Sequence, residues 1–271
     1  MTVSFQPEAP QSQPDTSTPT PARAGLVETH SGVCRLADTL QDAVNQGMLV
    51  GIDTEFHAER RYKPELMLVQ LALPDGRAWV VDPFKVSLQP LAAPLAQATW
   101  VAHGAALDLQ ILYQDLGIKP ADLWDTQIMA GMLGQPFPAR LGLLVETFLG
   151  KKIDKGSALT DWSQRPLKSE QLRYAVEDAT VVLRLQSAIA ETQPERLDWS
   201  RLAGQNLIKE STQNKNPNQM WLDWDVAPEL EEQTRKVLHT LFHWREEQAA
   251  KKGQPTHYVL APGAALDIAR R

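Results

Sequence analysis

The sequence predicts an α/β chain: a three-layer domain with a mixed sheet and helices on both faces, followed by a short helical C-terminal unit. Three observations lead there. Three β-type runs come first, at 48–56, 66–73 and 77–84, and the "PDG" turn at 74–76 makes the last two an antiparallel hairpin. Beyond residue 84 helical and extended patterns alternate, which calls for crossover connections. From about residue 126 to about 212 the pattern is helical.

Each element has a local reason. Residues 1–25 mix Pro, Gln, Ser and Thr with few large apolar side chains, so they read as a disordered tail. "CRLADTLQDAVNQG" (34–47) is an amphipathic helix stopped by Gly47. After the three β-type runs, "LQPLAAPLAQA" (88–98) reads as a helix and "TWVAHG" (99–104) as a strand. "AALDLQILYQDLG" (105–117) is a helix ended by Gly117, and "DLWDT" (122–126) a short strand. The longest element is the helix at 169–192, for which Ser169 is a candidate cap. The main domain spans 26–212, "NKNPNQ" sits in a linker at 213–227, and a helical segment covers 228–271. Two helices are too few to bury a core of their own.

Composition narrows the function classes. The net charge of −6 argues against binding nucleic acid by overall charge, yet leaves room for an acidic metal site. Basic residues cluster locally, as in Arg60, Arg61 and Lys63, in Lys151, Lys152 and Lys155, and in Arg165, Lys168 and Arg173. Cys34 is the only cysteine, which excludes an internal disulfide and a cysteine metal cluster and points to a reducing, cytoplasmic compartment. No run has the roughly 18 apolar residues of a membrane span, so no membrane partner is expected, and no protein partner is evident.

The chemistry lies in isolated acids. In "VGIDTEF" Asp53 and Glu55 are two apart on a strand and share a face, with Gly51 leaving room beside them. Taken alone, Asp-x-Glu is a common triplet of solvated acids. Asp108 sits among apolar neighbours on a helix, where its plainer reading is a partner for an arginine. Asp178 is sharper. Leu172, Ala175, Val176, Ala179, Val182 and Leu183 form one apolar stripe, and Tyr174, Asp178, Val181 and Leu185 form a second. The helix is therefore buried on two sides, with Tyr174 and Asp178 together. Oxygen ligands without cysteine or paired histidines suit a hard cation such as Mg²⁺ or Mn²⁺, and two such ions serve phosphodiester cleavage.

"DTEF", "VAHGAALDLQIL" and "LTDWSQRPLKSEQLRYAVEDATVVLRL" resemble, in that order, the three motifs of the Asp-Glu-Asp-Asp 3′–5′ exonuclease superfamily. Within it the chain resembles ribonuclease D, in the subgroup with a Tyr-x-x-x-Asp third motif, over roughly residues 26 to 190. The resemblance implies a ribonuclease H-like fold and a metal-dependent 3′–5′ exoribonuclease. Its expected partner is RNA with a free 3′ end, tRNA precursors especially, cut to nucleoside 5′-monophosphates with two divalent cations. It assigns Asp53, Glu55, Asp108 and Asp178 as metal and catalytic acids and Tyr174 as a catalytic residue that orients water. Thr54 and Phe56 would seat the terminal nucleotide, and Gln70, His103, Lys155 and Arg165 fall in matching segments as candidate substrate contacts. His103 and Asp108 also have the spacing of the histidine-subgroup third motif, but that parse leaves Tyr174 and Asp178 unexplained. The C-terminal segment resembles the first half of an HRDC module. A DNA-directed exonuclease acting on single strands and a non-catalytic RNA-binding scaffold are the competing readings.

Overall fold

The computed structural model describes residues 23–153, 160–192, 194–213 and 230–271. Its first half holds β1 (Arg23–Val27), α1 (His30–Asn45), β2 (Val50–His57), β3 (Glu65–Ala72), β4 (Arg77–Val81), α2 (Ala92–Gln97), β5 (Thr99–Ala102), α3 (Ala106–Leu116) and β6 (Asp122–Asp125). Helices follow: α4 (Thr126–Met132), α5 (Leu141–Leu149), α6 (Ser169–Thr192), α7 (Leu197–Ser211), α8 (Glu232–Lys252), α9 (Thr256–Val259) and α10 (Pro262–Ala269). The strands form one sheet in the order β1-β4-β3-β2-β5-β6. β2, β3 and β4 are antiparallel neighbours, while β1 joins β4 and β5 and β6 join β2 in parallel. This is the mixed α/β sheet that the alternation predicts.

Several boundaries differ from expectation, the first helix among them, which begins at His30 behind a Thr29 cap rather than at Cys34. Arg23–Val27, partly ahead of the boundary expected at Leu26, is a strand because it pairs in register with Arg77–Val81. "RAGLV" has little apolar pattern, and its hydrogen bonds come from a strand far along the chain. The run at 77–84 stops at Val81, since Pro83 lacks an N–H and the Asp82 carboxylate accepts the Phe84 N–H at 3.0 Å. The helix expected over 88–98 divides into a 3₁₀ turn at Gln89–Leu91 and α2. Lys155, nearly all of the tail and most of the linker lie outside the described residues.

One face of the sheet packs on α1 and α3 through Val50, Ile52, Val69 and Leu71 against Leu36, Leu40, Leu109 and Leu112. The other face carries α6. Its Ala175, Ala179, Val182 and Leu183 lie against the sheet, and Val181, Leu185 and Ile189 lie against Met129, Ala130, Leu144 and Val145 of α4 and α5. Both stripes are thus buried, as the spacing requires. The helix starts one residue earlier than a Ser169 cap would give: the Gln171 side chain accepts the Lys168 N–H at 2.9 Å, half of a capping box. Gly51 lets α6 approach β2 closely, since a Cβ there would stand 2.3 Å from the Ala179 carbonyl oxygen.

The C-terminal helices share a small core of Leu238, Ala265 and Ala269. They are tied to the β2–β3 loop, where Tyr62 donates its N–H to the Gly253 carbonyl at 3.2 Å and its hydroxyl to Glu246 at 3.4 Å. No helix among the described residues is long and apolar enough to cross a membrane.

Candidate functional site

β2 and α6 cross where the sequence has its acids. Strand alternation turns Gly51, Asp53 and Glu55 toward α6, and the close approach at Gly51 brings Asp178 down beside them. Ligand oxygens of Asp53, Glu55 and Asp178 all lie within 4.8 Å of one another. Asp108 reaches the same place from the first turn of α3, with its carboxylate accepting the Thr54 hydroxyl. After burial, its charge, ahead of those of Asp178 and Glu55, raises the pKa of Asp53. The arginine partner that Asp108 suggests in isolation is replaced by a threonine from the neighbouring strand.

The electrostatics are one-sided. Among the described residues no Lys, Arg or His forms an ion pair with any of the four acids. Burial first, and like charge second, holds the Asp53 carboxyl well above the usual range and pushes Glu55 up to about 8. Burial lifts Asp108 and Asp178 to about 6, opposed by hydrogen bonds from Thr54 and Tyr174 respectively. Tyr174 sits one turn before Asp178. Burial, then the Asp178 charge, pushes its phenol above the ordinary value, so at neutral pH it is a hydroxyl that donates to Asp178.

An all-oxygen donor set with no counter-charge fits a hard divalent cation. A second observation agrees with an added polar partner. Gln70 stands opposite Asp53 in the β2–β3 ladder and is fully buried, and among the described residues neither atom of its amide has a hydrogen-bond partner.

The expected substrate contacts that the structure describes sit as follows. Gln70 is fully buried beside Asp53, on the same face of the sheet. Thr54 is buried and holds Asp108, and Phe56 packs at the edge of the main core. His103 has partners at both ring nitrogens, the Thr126 hydroxyl at 2.9 Å and the Ala139 carbonyl at 3.0 Å, and burial lowers its pKa. Arg165 is engaged with Asp82 and with backbone carbonyls.

Two supporting residues escaped the sequence reading. Asp125 ends β6 and accepts the N–H groups of Gly104, Ala105, Gln127 and Ile128, so one buried carboxylate starts both α3 and α4. Its signal was an Asp ahead of a helical run, the ordinary mark of a cap. Trp162, almost fully buried, packs against Tyr174 with ring centroids 6.0 Å apart. Nothing local in the sequence marks that contact.

Known proteins resemble this chain in sequence and in fold. Residues 27–192 match the model of the 3′–5′ exonuclease family. The chain is 32% identical to a ribonuclease D of Sphingobium indicum over 81% of its own length and 58% of that protein, and 33% identical to one of Nitrobacter hamburgensis over 82% and 59%. It therefore spans about three fifths of the length of the curated relatives it matches. In structure it is similar to Escherichia coli RNase D, described as an exoribonuclease involved in structured RNA processing, with a TM-score of 0.79, 25% identity, and coverage of 91% of this chain and 66% of that one. The catalytic core of RRP6 from Trypanosoma brucei has the same fold, with a TM-score of 0.66 at 22% identity. The family model takes in the whole sheet from Val27 onward, all four acids and the length of α6, and on that match the chain belongs to the 3′–5′ exonuclease family.

Proposed function

We propose that the chain is a metal-dependent 3′–5′ exoribonuclease that removes nucleotides from RNA 3′ ends as nucleoside 5′-monophosphates, in the maturation of tRNA or other structured RNA. The convergence of Asp53, Glu55 and Asp178 within 4.8 Å carries the proposal, because phosphodiester cleavage with divalent cations needs such an all-oxygen donor set. Asp53, Glu55, Asp108 and Asp178 would hold the Mg²⁺ or Mn²⁺ ions. Bound ions supply an activated water at neutral pH and neutralise charge on the departing 3′ oxygen.

The remaining work falls to the chain itself. Thr54 holds the Asp108 carboxylate in one orientation. Tyr174, protonated at neutral pH, keeps its hydroxyl beside Asp178, where it orients the attacking water and does not take the proton. The relatives named ribonuclease D favour RNA over DNA as substrate. A cytoplasmic site of action accords with Cys34 as a free thiol. The C-terminal helices are read as part of an HRDC-like unit beside the nuclease domain.

The test is a degradation ladder on matched 5′-labelled RNA and DNA. RNA should shorten one nucleotide at a time, EDTA should stop it, and Asp178→Asn should abolish it while the protein stays folded. Full activity in Asp178→Asn, or a ladder on DNA alone, would overturn the proposal. RNA binding without turnover in either metal would favour a scaffold.

A further inference from the structure

Arg165 lies outside the acid cluster, and its charge is already committed. Its Nε donates to Asp82 Oδ2 at 2.5 Å and its Nη2 to Asp82 Oδ1 at 3.0 Å, a two-point pair with a carboxylate of no exposure. Nη2 also donates to the Met67 carbonyl at 3.0 Å, and Nη1 to the carbonyls of Trp162 and Gln164 at 2.7 and 2.9 Å. All five N–H groups of the guanidinium therefore have protein acceptors. The Phe84 ring lies against it, 4.9 Å from the guanidinium carbon. No donor remains for a phosphate.

The acceptors matter for where they sit. β2 and β3 slip register between Glu55 and Phe56: Glu55 pairs with Leu68 and Phe56 with Leu66. Met67 is the extra residue of that bulge, left without a partner on β2, and Arg165 takes its carbonyl. The bulge directly follows the point where Glu55 turns toward α6. On its other side Arg165 holds the Trp162 carbonyl, and the Trp162 ring packs among Met67, Leu68, Val80 and Ala175 and against Tyr174. One guanidinium thus joins the backbone behind Glu55 to the ring beside Tyr174, with Asp82 at the end of β4 as the fixed point.

We propose that Arg165 is a positioning residue, a clamp anchored on Asp82 that sets the Glu55 bulge and the Trp162–Tyr174 contact together, and not a contact for RNA. Lysine cannot replace it, because three donors on one nitrogen cannot span a carboxylate and three diverging carbonyls. The clamp acts on the acid site through Glu55 and Tyr174. Its kinetic signature rests on the exonuclease reading above, while its structural signature does not.

The experiment compares wild type, Arg165→Lys, Asp82→Asn, Tyr174→Phe and Arg165→Lys/Tyr174→Phe on 5′-labelled RNA in Mg²⁺, together with amide hydrogen exchange of the metal-free proteins. Supporting residues around metal sites typically carry about 10- to 100-fold in activity. Arg165→Lys should lower kcat by about that factor with KM for RNA within about twofold of wild type. Its loss should shrink to less than half, on a logarithmic scale, when Tyr174 is already Phe. Exchange should rise at 65–68 and 160–168 without rising in α8. Asp82→Asn carries the same expectations and stands in if Arg165→Lys does not fold. A raised KM at unchanged kcat would make Arg165 an RNA contact. Fully additive losses, or unchanged exchange at both segments, would also overturn the clamp. Should wild type leave RNA intact, the exonuclease reading fails alone, and the exchange data still decide the clamp.

Discussion

Gly51→Ala tests whether the separation of β2 and α6 sets the acid site. Ordinary contact for a Cβ begins near 3.4 Å, and at Gly51 the Ala179 carbonyl oxygen would stand at 2.3 Å, so strand and helix must part by about 1.1 Å. The obstacle is backbone on both sides, which cannot swing away as a side chain could. Overpacking of this kind costs about 1–3 kcal/mol. The displacement falls between Asp53, two residues along β2, and Asp178, the residue before Ala179. A misplacement of about 1 Å at a reacting centre costs on the order of 100-fold in rate. Gly204→Ala is the matched control. Its Cβ would lie 2.2 Å from the Leu123 carbonyl oxygen, prying α7 from β6 at the far edge of the sheet. Urea unfolding should show similar stability losses for the two variants. Stepwise RNA shortening should fall about 100-fold only in Gly51→Ala. Equal activity in the two variants would refute the reasoning, and so would a Gly51→Ala protein as stable as wild type.

Further outcomes follow from the same geometry. Raised folded-state pKa values mean that the native acids hold protons which the unfolded chain has released, so stability falls as pH rises from the ordinary values of 3.8 and 4.5 through about 6 for Asp108 and Asp178 to about 8 for Glu55. Thermal melts of the metal-free protein should therefore decline across that window, and Mn²⁺ should flatten the decline; a melting temperature that rises with pH would contradict it. Thr54→Val keeps the shape but removes the hydroxyl on Asp108, so calorimetry should show metal affinity weakened by about 10-fold. Unchanged affinity would mean that Thr54 does not orient Asp108.

What could be read from the sequence was what a single element encodes. The period of two put Asp53 and Glu55 on one face, and the spacing of four joined Tyr174 to Asp178 on a helix with two apolar stripes. The hairpin at "PDG" and the helix stops at Gly47 and Gly117 are local for the same reason. What was not legible depends on pairs distant in the chain. Arg165 is a basic residue in a basic cluster until Asp82, 83 positions earlier, is seen beside it. Thr54 meets Asp108 across 54 positions, and β1 exists because β4 supplies its hydrogen bonds. Gln70 has the look of an ordinary polar residue in a strand, and only the ladder shows that it backs onto Asp53.

The Asp125 carboxylate has a bearing on the order in which this molecule is assembled. The amides of Gly104 and Ala105, just before α3, bond to a side chain about 20 positions later at the end of β6. An isolated 105–117 peptide lacks that acceptor, so the start of the helix that carries Asp108 is unfinished until β5 and β6 lie in parallel register. Asp108 therefore takes its place together with the sheet, through a contact outside its own helix, even though that helix looks self-contained in the sequence.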